Sequence, residues 1–172
     1  IGIYIHIPYC KKKCHYCDFI SFSGKEETQN KYIEAILKEI SECTYTGFNI
    51  GTIYIGGGTP SIIDPAYITK IIAKIREKFI VSQNAEITIE VNPGTVDREK
   101  LLEYKKSGIN RLSIGLQSTD DDILKEIGRI HNYEQFLDTY KWAGEAGFEN
   151  INVDLMLGLP GQDIEILKNS LE

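Results

Sequence analysis

The chain has 172 residues, 42% hydrophobic and 26% charged, with a net charge of −6. That length supports one sizeable core and a single domain over 1–172, and the acidic balance excludes nucleic acid as a partner, since backbone binding needs a basic face. No run approaches a transmembrane span and no signal-peptide pattern opens the chain, so a cytoplasmic protein is expected. The chain opens at Ile1 in a strand-like run and stops inside a helix-like run, 163–172, which predicts a fragment of a longer protein.

In chain order the strand candidates are Gly2–Ile7, 52–55, 87–91, 111–116 and 151–155. Between them lie runs with apolar residues three and four apart, the helical period. One carries Ile33, Ile36, Leu37 and Ile40; the next carries Ile68, Ile71, Ile72, Ile75 and Phe79. Asp64-Pro65 reads as an N-cap followed by proline at the first helical position. Gly108 and Gly147 each fall just past a helix and before a strand, where a left-handed C-terminal glycine belongs. Alternating strands and helices predict a βα architecture with a parallel sheet.

Successive strand side chains point to opposite faces. One face carries Ile3, Ile5, Ile7, Ile53, Ile55, Ile87, Ile89, Val91, Leu112, Ile114, Leu116, Ile151, Val153 and Leu155. The other carries Tyr4, His6, Thr52, Tyr54, Thr88, Glu90, Asn92, Ser113, Gly115, Gln117, Asn152, Asp154 and Met156. A closed eight-stranded barrel fills its interior with branched apolar residues, and a doubly wound sheet is apolar on both faces. A polar inner face on every strand instead predicts a curved, incompletely closed barrel around a polar ligand. The plainer alternative is a half-exposed sheet with a solvated polar face.

Three of the four cysteines fall within eight residues, as Cys10-Lys-Lys-Lys-Cys14-His-Tyr-Cys17. Clustered thiols in a chain of this kind point to metal or redox chemistry rather than to a disulfide framework. A loop this short can turn three thiolates toward one site, and soft thiolates favour iron–sulfur clusters or zinc. Zinc would require a fourth ligand, His6 or His15. A redox pair of Cys14 and Cys17 is the remaining reading. Cys43 stands alone on a helix-like segment and reads as an ordinary half-buried thiol.

The C-x₃-C-x₂-C spacing resembles the signature of the radical S-adenosylmethionine (SAM) superfamily. The neighbouring words sharpen that resemblance: Tyr4-Ile-His6-Ile-Pro8-Tyr-Cys10, Tyr16-Cys17-Asp18-Phe19, Gly56-Gly57-Gly58-Thr59-Pro60 and Glu90-Val-Asn92-Pro93. Gly115-Leu-Gln117-Ser118, Gly128-Arg129-Ile-His131 and Asp154-Leu-Met-Leu-Gly158-Leu-Pro160-Gly161-Gln162 follow in order. Together they resemble the oxygen-independent coproporphyrinogen dehydrogenase family and its relatives, the HemW-type haem chaperones.

The resemblance implies a partial (β/α)6-type barrel, here ending before its last strand, and a [4Fe–4S] cluster held by Cys10, Cys14 and Cys17. It also implies a SAM molecule on the remaining iron, whose C–S bond is cleaved to a 5′-deoxyadenosyl radical. Tyr4 and Tyr16 would border the cluster and SAM, Gly57, Gly58 and Thr59 would let backbone approach the ligand, and Glu90, Gln117, Arg129 and Asp154 would contact SAM. The implied partners are haem or a porphyrinogen, and a low-potential electron donor such as flavodoxin. Lys11 to Lys13 would offer a docking surface for an acidic donor. In the decarboxylating enzymes the motif extends to Cys-x-Cys. Here Cys17-Asp18-Phe19 stands instead, which favours the chaperone branch over the enzyme.

Overall fold

The computed structural model describes residues 1–23 and 26–171. Its strands are β1 (Gly2–Ile7), β2 (Asn49–Gly57), β3 (Ile80–Val91), β4 (Arg111–Gln117) and β5 (Asn150–Leu155). Its helices are α1 (Glu26–Glu42), α2 (Pro65–Lys78), α3 (Arg98–Ser107), α4 (Asp121–Glu126), α5 (Tyr133–Glu145) and α6 (Ile164–Leu171). The strands form one sheet in the order β1-β2-β3-β4-β5, every neighbouring pair parallel. Parallel neighbours require a crossover, and α1, α2, α3 and α4–α5 supply the four in turn. The sheet is open, with β1 and β5 at its edges, as a partial barrel requires.

The two strand faces divide as the alternation predicts. Ile7, Ile53, Ile55, Ile87, Ile89, Leu112 and Ile114 are almost completely buried and form one core with Ile33, Ile36 and Ile40 of α1 and Ile68, Ile71, Ile72 and Ile75 of α2. Leu101 and Tyr104 of α3 and Phe136 and Ala143 of α5 complete it. Each isoleucine so buried contributes about 1.5–3 kcal/mol, which makes this face the main source of stability.

Short polar side chains set the helix starts. The Ala66 N–H donates to Asp64 at 2.8 Å, Lys100 N–H to Asp97 at 2.8 Å, and Ile123 N–H to Asp120 at 2.9 Å. Asn132 and Gln135 form a reciprocal capping box at the start of α5. Gly108, at φ 98°, ends α3 in the left-handed conformation expected of it.

Three details differ from the sequence reading. Phe79 is not helical; its backbone is extended and it ends α2, because β3 begins at the next residue. β3 starts seven residues before the apolar alternation does, pairing with Asn49 and Ile50 ahead of an irregularity between Ile50 and Thr52. The short helix α4 is an addition to the anticipated elements. Of the run 163–172, Ile164–Leu171 is helical as α6, and residue 172 lies outside the described residues.

Candidate functional site

The polar face of the sheet and the cysteine loop enclose a cavity of about 500 Å³, within the range of about 300–1,000 Å³ usual for small-ligand sites. Cys10, Cys14, Cys17, Tyr16, Gly57, Gly58, Thr59, Glu90, Gln117, Arg129 and Asp154 all line it. Tyr4 is the exception among the anticipated residues. Its ring stacks on that of Tyr54, 6.1 Å between centroids, and Tyr54 lines the cavity in its place.

Backbone bonds seat the cysteine loop. Gly58 N–H donates to the Ile7 carbonyl at 2.9 Å and Thr59 N–H to the Tyr9 carbonyl at 2.7 Å, so the end of β2 clasps the end of β1. A Cβ on Gly58 would lie 2.8 Å from the Tyr9 oxygen and 3.0 Å from the Cys10 sulfur. Only glycine fits there. Thr59 Oγ1 then donates to Cys10 Sγ at 3.4 Å.

His15 fastens the far side of the loop. Its N–H donates to the Ile127 carbonyl and its ring Nδ1 to the Glu126 carbonyl at 2.8 Å, both at the end of α4. Though exposed, it anchors the loop. His6 engages both ring nitrogens, with the Tyr4 hydroxyl at 3.0 Å and the Ile20 carbonyl at 3.2 Å. His6 therefore has no ring nitrogen left for a zinc ion, and His15 has its Nδ1 committed to α4. Among the described residues no three His, Cys, Asp or Glu side chains gather around a single ion; the half-buried thiols instead line a common wall.

On the opposite wall Glu90 accepts from the Tyr54 hydroxyl at 2.8 Å and the Gly57 N–H at 3.0 Å. Burial pushes its carboxyl above the usual range, with the Asp154 charge adding to the push and the two donors opposing it. Asp154 accepts from Ser113 Oγ at 3.1 Å and Asn152 Nδ2 at 2.6 Å. Among the described residues neither carboxylate has a cationic partner within ion-pair distance. Gln117 ends β4 with φ 75°, the one non-glycine residue in the left-handed region among those described. Such a conformation costs about 1–3 kcal/mol and persists where its surroundings enforce it.

Arg129 joins the two walls. Its guanidinium donates to Cys14 Sγ at 3.8 Å and Tyr16 Oη at 3.3 Å, and on the sheet side to the Gly115 carbonyl at 2.6 Å and Asn92 Oδ1 at 3.1 Å. The Tyr16 hydroxyl is pushed up to about 12, mainly by burial, with Arg129 pulling it down. Tyr54, Asn92 and Ser113 also line the cavity. All three sit on the predicted polar face, and that face was the signal that could have named them.

A model of the radical SAM superfamily matches residues 4–172. The chain belongs to that superfamily. Members of it bind a [4Fe–4S] cluster and SAM. This radical SAM chain is 42% identical, over its whole length, to the heme chaperone HemW of Buchnera aphidicola from Acyrthosiphon pisum, covering 46% of that protein. It is 39% identical to HemW of Escherichia coli, over 96% of this chain and 44% of that one. Among solved structures it matches coproporphyrinogen III oxidase (HemN) of E. coli with a TM-score of 0.91 at 31% identity, covering 99% of this chain and 40% of that one. The chain thus spans less than half the length of these relatives.

The site fits the superfamily's cofactors on its own chemistry. It offers three soft thiols on one wall and a glycine cradle closed to any Cβ beside Cys10. It also offers two carboxylates without cations lining the same cavity, which suits a cationic ligand such as a sulfonium. Among the described residues no helix is long and apolar enough to cross a membrane.

Proposed function

We propose that this chain is the cluster- and SAM-binding core of a haem chaperone of the HemW kind. The observation that carries the reading is the single cavity in which Cys10, Cys14 and Cys17 face Glu90, Gln117 and Asp154. In this reading Cys10, Cys14 and Cys17 would hold a [4Fe–4S] cluster, with SAM bound beside it in the same cavity. When bound, the pair supplies one-electron chemistry at the sulfonium. Glu90 and Asp154 attract the cationic parts of SAM, Gln117 hydrogen-bonds its polar groups, and Gly57, Gly58 and Thr59 let backbone approach it. Arg129 contacts SAM and the loop together. Tyr16 borders the cluster, and Tyr4 acts indirectly by supporting Tyr54. Residues 1–172 form the core domain of a longer protein.

The choice of branch rests on Asp18-Phe19 after the third cysteine and on the heme chaperones among the similar proteins. Phe19 is 68% exposed at the cavity wall, presenting an apolar ring where the enzymes carry a second cysteine. Haem, and an acidic low-potential donor such as flavodoxin docking on Lys11 to Lys13, are the partners this reading assigns. The structural likeness to HemN keeps one rival, oxidative decarboxylation of porphyrinogen propionates. The full-length protein, with cluster reduced and SAM present, should bind haem and leave coproporphyrinogen unchanged. Vinyl-bearing product would establish the enzyme instead.

A further inference from the structure

Behind Arg129 lies a hydrogen-bonded pair with no part in the scheme above. Asn92 Oδ1 accepts from Arg129 Nη2 at 3.1 Å and also meets His131 Nδ1 at 3.1 Å. A guanidinium only donates, so the atom between them is the amide oxygen and His131 must donate as well. That fixes the imidazole as the Nδ1–H tautomer. Its Nε2 is buried and has no hydrogen-bond partner among the described residues, and the residue is 5% exposed. His131 thus never reaches the cavity, but the group it holds does: Asn92 lines the wall beside Arg129.

We infer that Asn92 and His131 are positioning residues that lock the Arg129 guanidinium against Cys14 and Tyr16, and that through it they set the reduction potential of a cluster on this loop. The inference rests on the cofactor reading above. Hydrogen bonds and positive charge at a cluster thiolate favour the more negative, reduced state. Asn92 holds one face of the guanidinium and Gly115 the same nitrogen from another side, leaving Nη1 aimed at Cys14 and Tyr16. Without the His131 N–H the Asn92 amide can rotate. Its NH₂ would then face the arginine, and the guanidinium would turn from the sulfur. The buried imidazole supports this role by staying uncharged: burial, then the Arg129 charge, push it down to about 4 against an opposing hydrogen bond with the Leu116 backbone.

The test uses the chain reconstituted anaerobically with iron and sulfide, its potential measured spectroelectrochemically before SAM is added. Arg129→Gln should favour the oxidised cluster by about tenfold, about 59 mV for one electron. His131→Asn keeps an amide N–H near the place of Nδ1 and should keep the parental potential. His131→Gln carries the same amide one methylene further out and should move the potential toward that of Arg129→Gln. Equal potentials in the Asn and Gln variants overturn the inference. So does a parental potential in Arg129→Gln, or loss of the cluster from both His131 variants, which would mark the histidine as structural. Failure of the parent chain to hold any [4Fe–4S] cluster overturns the cofactor reading instead.

Discussion

Glu90 and Asp154 share one cavity, and each is held by neutral donors rather than by a cation. A cationic ligand would supply the missing charge. Removing one such partner of a buried ligand group costs about 1–3 kcal/mol, roughly tenfold to a hundredfold in affinity. Glu90→Ala and Asp154→Ala should therefore weaken SAM binding by that factor in calorimetry and leave cluster content unchanged. Unaltered affinity in both would mean that SAM lies elsewhere. His131 makes a separate statement about pH. Its folded value of about 4 lies below the ordinary 6.5, so the unfolded chain takes up the proton first. Stability is then full above pH 6.5 and falls as the pH drops toward 4, by at most about 3 kcal/mol. The raised Glu90 carboxyl has the opposite slope, so the comparison must be with His131→Asn. The parent should lose more stability than that variant between pH 6.5 and 4 in chemical denaturation; parallel curves would show that His131 is not held neutral.

At the scale of elements, the glycine run after β2 acts on the cysteine loop through backbone, not side chains. Gly58→Ala places a methyl group 2.8 Å from the Tyr9 oxygen, and backbone cannot yield as a flexible side chain does. The variant should lose about 1–3 kcal/mol of stability and should assemble much less cluster, while circular dichroism reports an intact fold. Full cluster content would show that the loop is seated by other contacts. The strands themselves were legible because a period of two separates Ile3, Ile5 and Ile7 from Tyr4 and His6 with no knowledge of tertiary structure. The first half of β3 was not. Ser82, Gln83 and Asn84 carry no apolar alternation, and they are drawn into the sheet by pairing of Ile80 and Val81 with β2. α4 was hidden for a related reason: six residues are too few to show a helical period.

At the scale of the whole molecule, the site is assembled from loops and strand ends far apart in the chain. Glu90, Gln117 and Asp154 were named by the family resemblance, and their places at strand ends on the polar face, which meet at one rim of a parallel sheet, agreed with it. The Asn92–Arg129–His131 linkage could not. Arg129 lies beyond α4, just after Gly128 at φ 78°, and nothing in local pattern says that this turn points it back across β3 and β4 to the cysteine loop. The anchoring of His15 was hidden for the same cause, its ring's partner lying 111 residues away at Glu126. The central claim is that the three clustered thiols, and not the fourth, hold a cluster in that shared cavity. Anaerobic reconstitution with iron and sulfide, followed by visible absorption and iron analysis, tests it directly. The parent chain and Cys43→Ala should both show the broad absorption of a [4Fe–4S] cluster, and alanine at Cys10, Cys14 or Cys17 should abolish it. A full cluster in Cys14→Ala, or stoichiometric zinc in the native protein, would contradict the account.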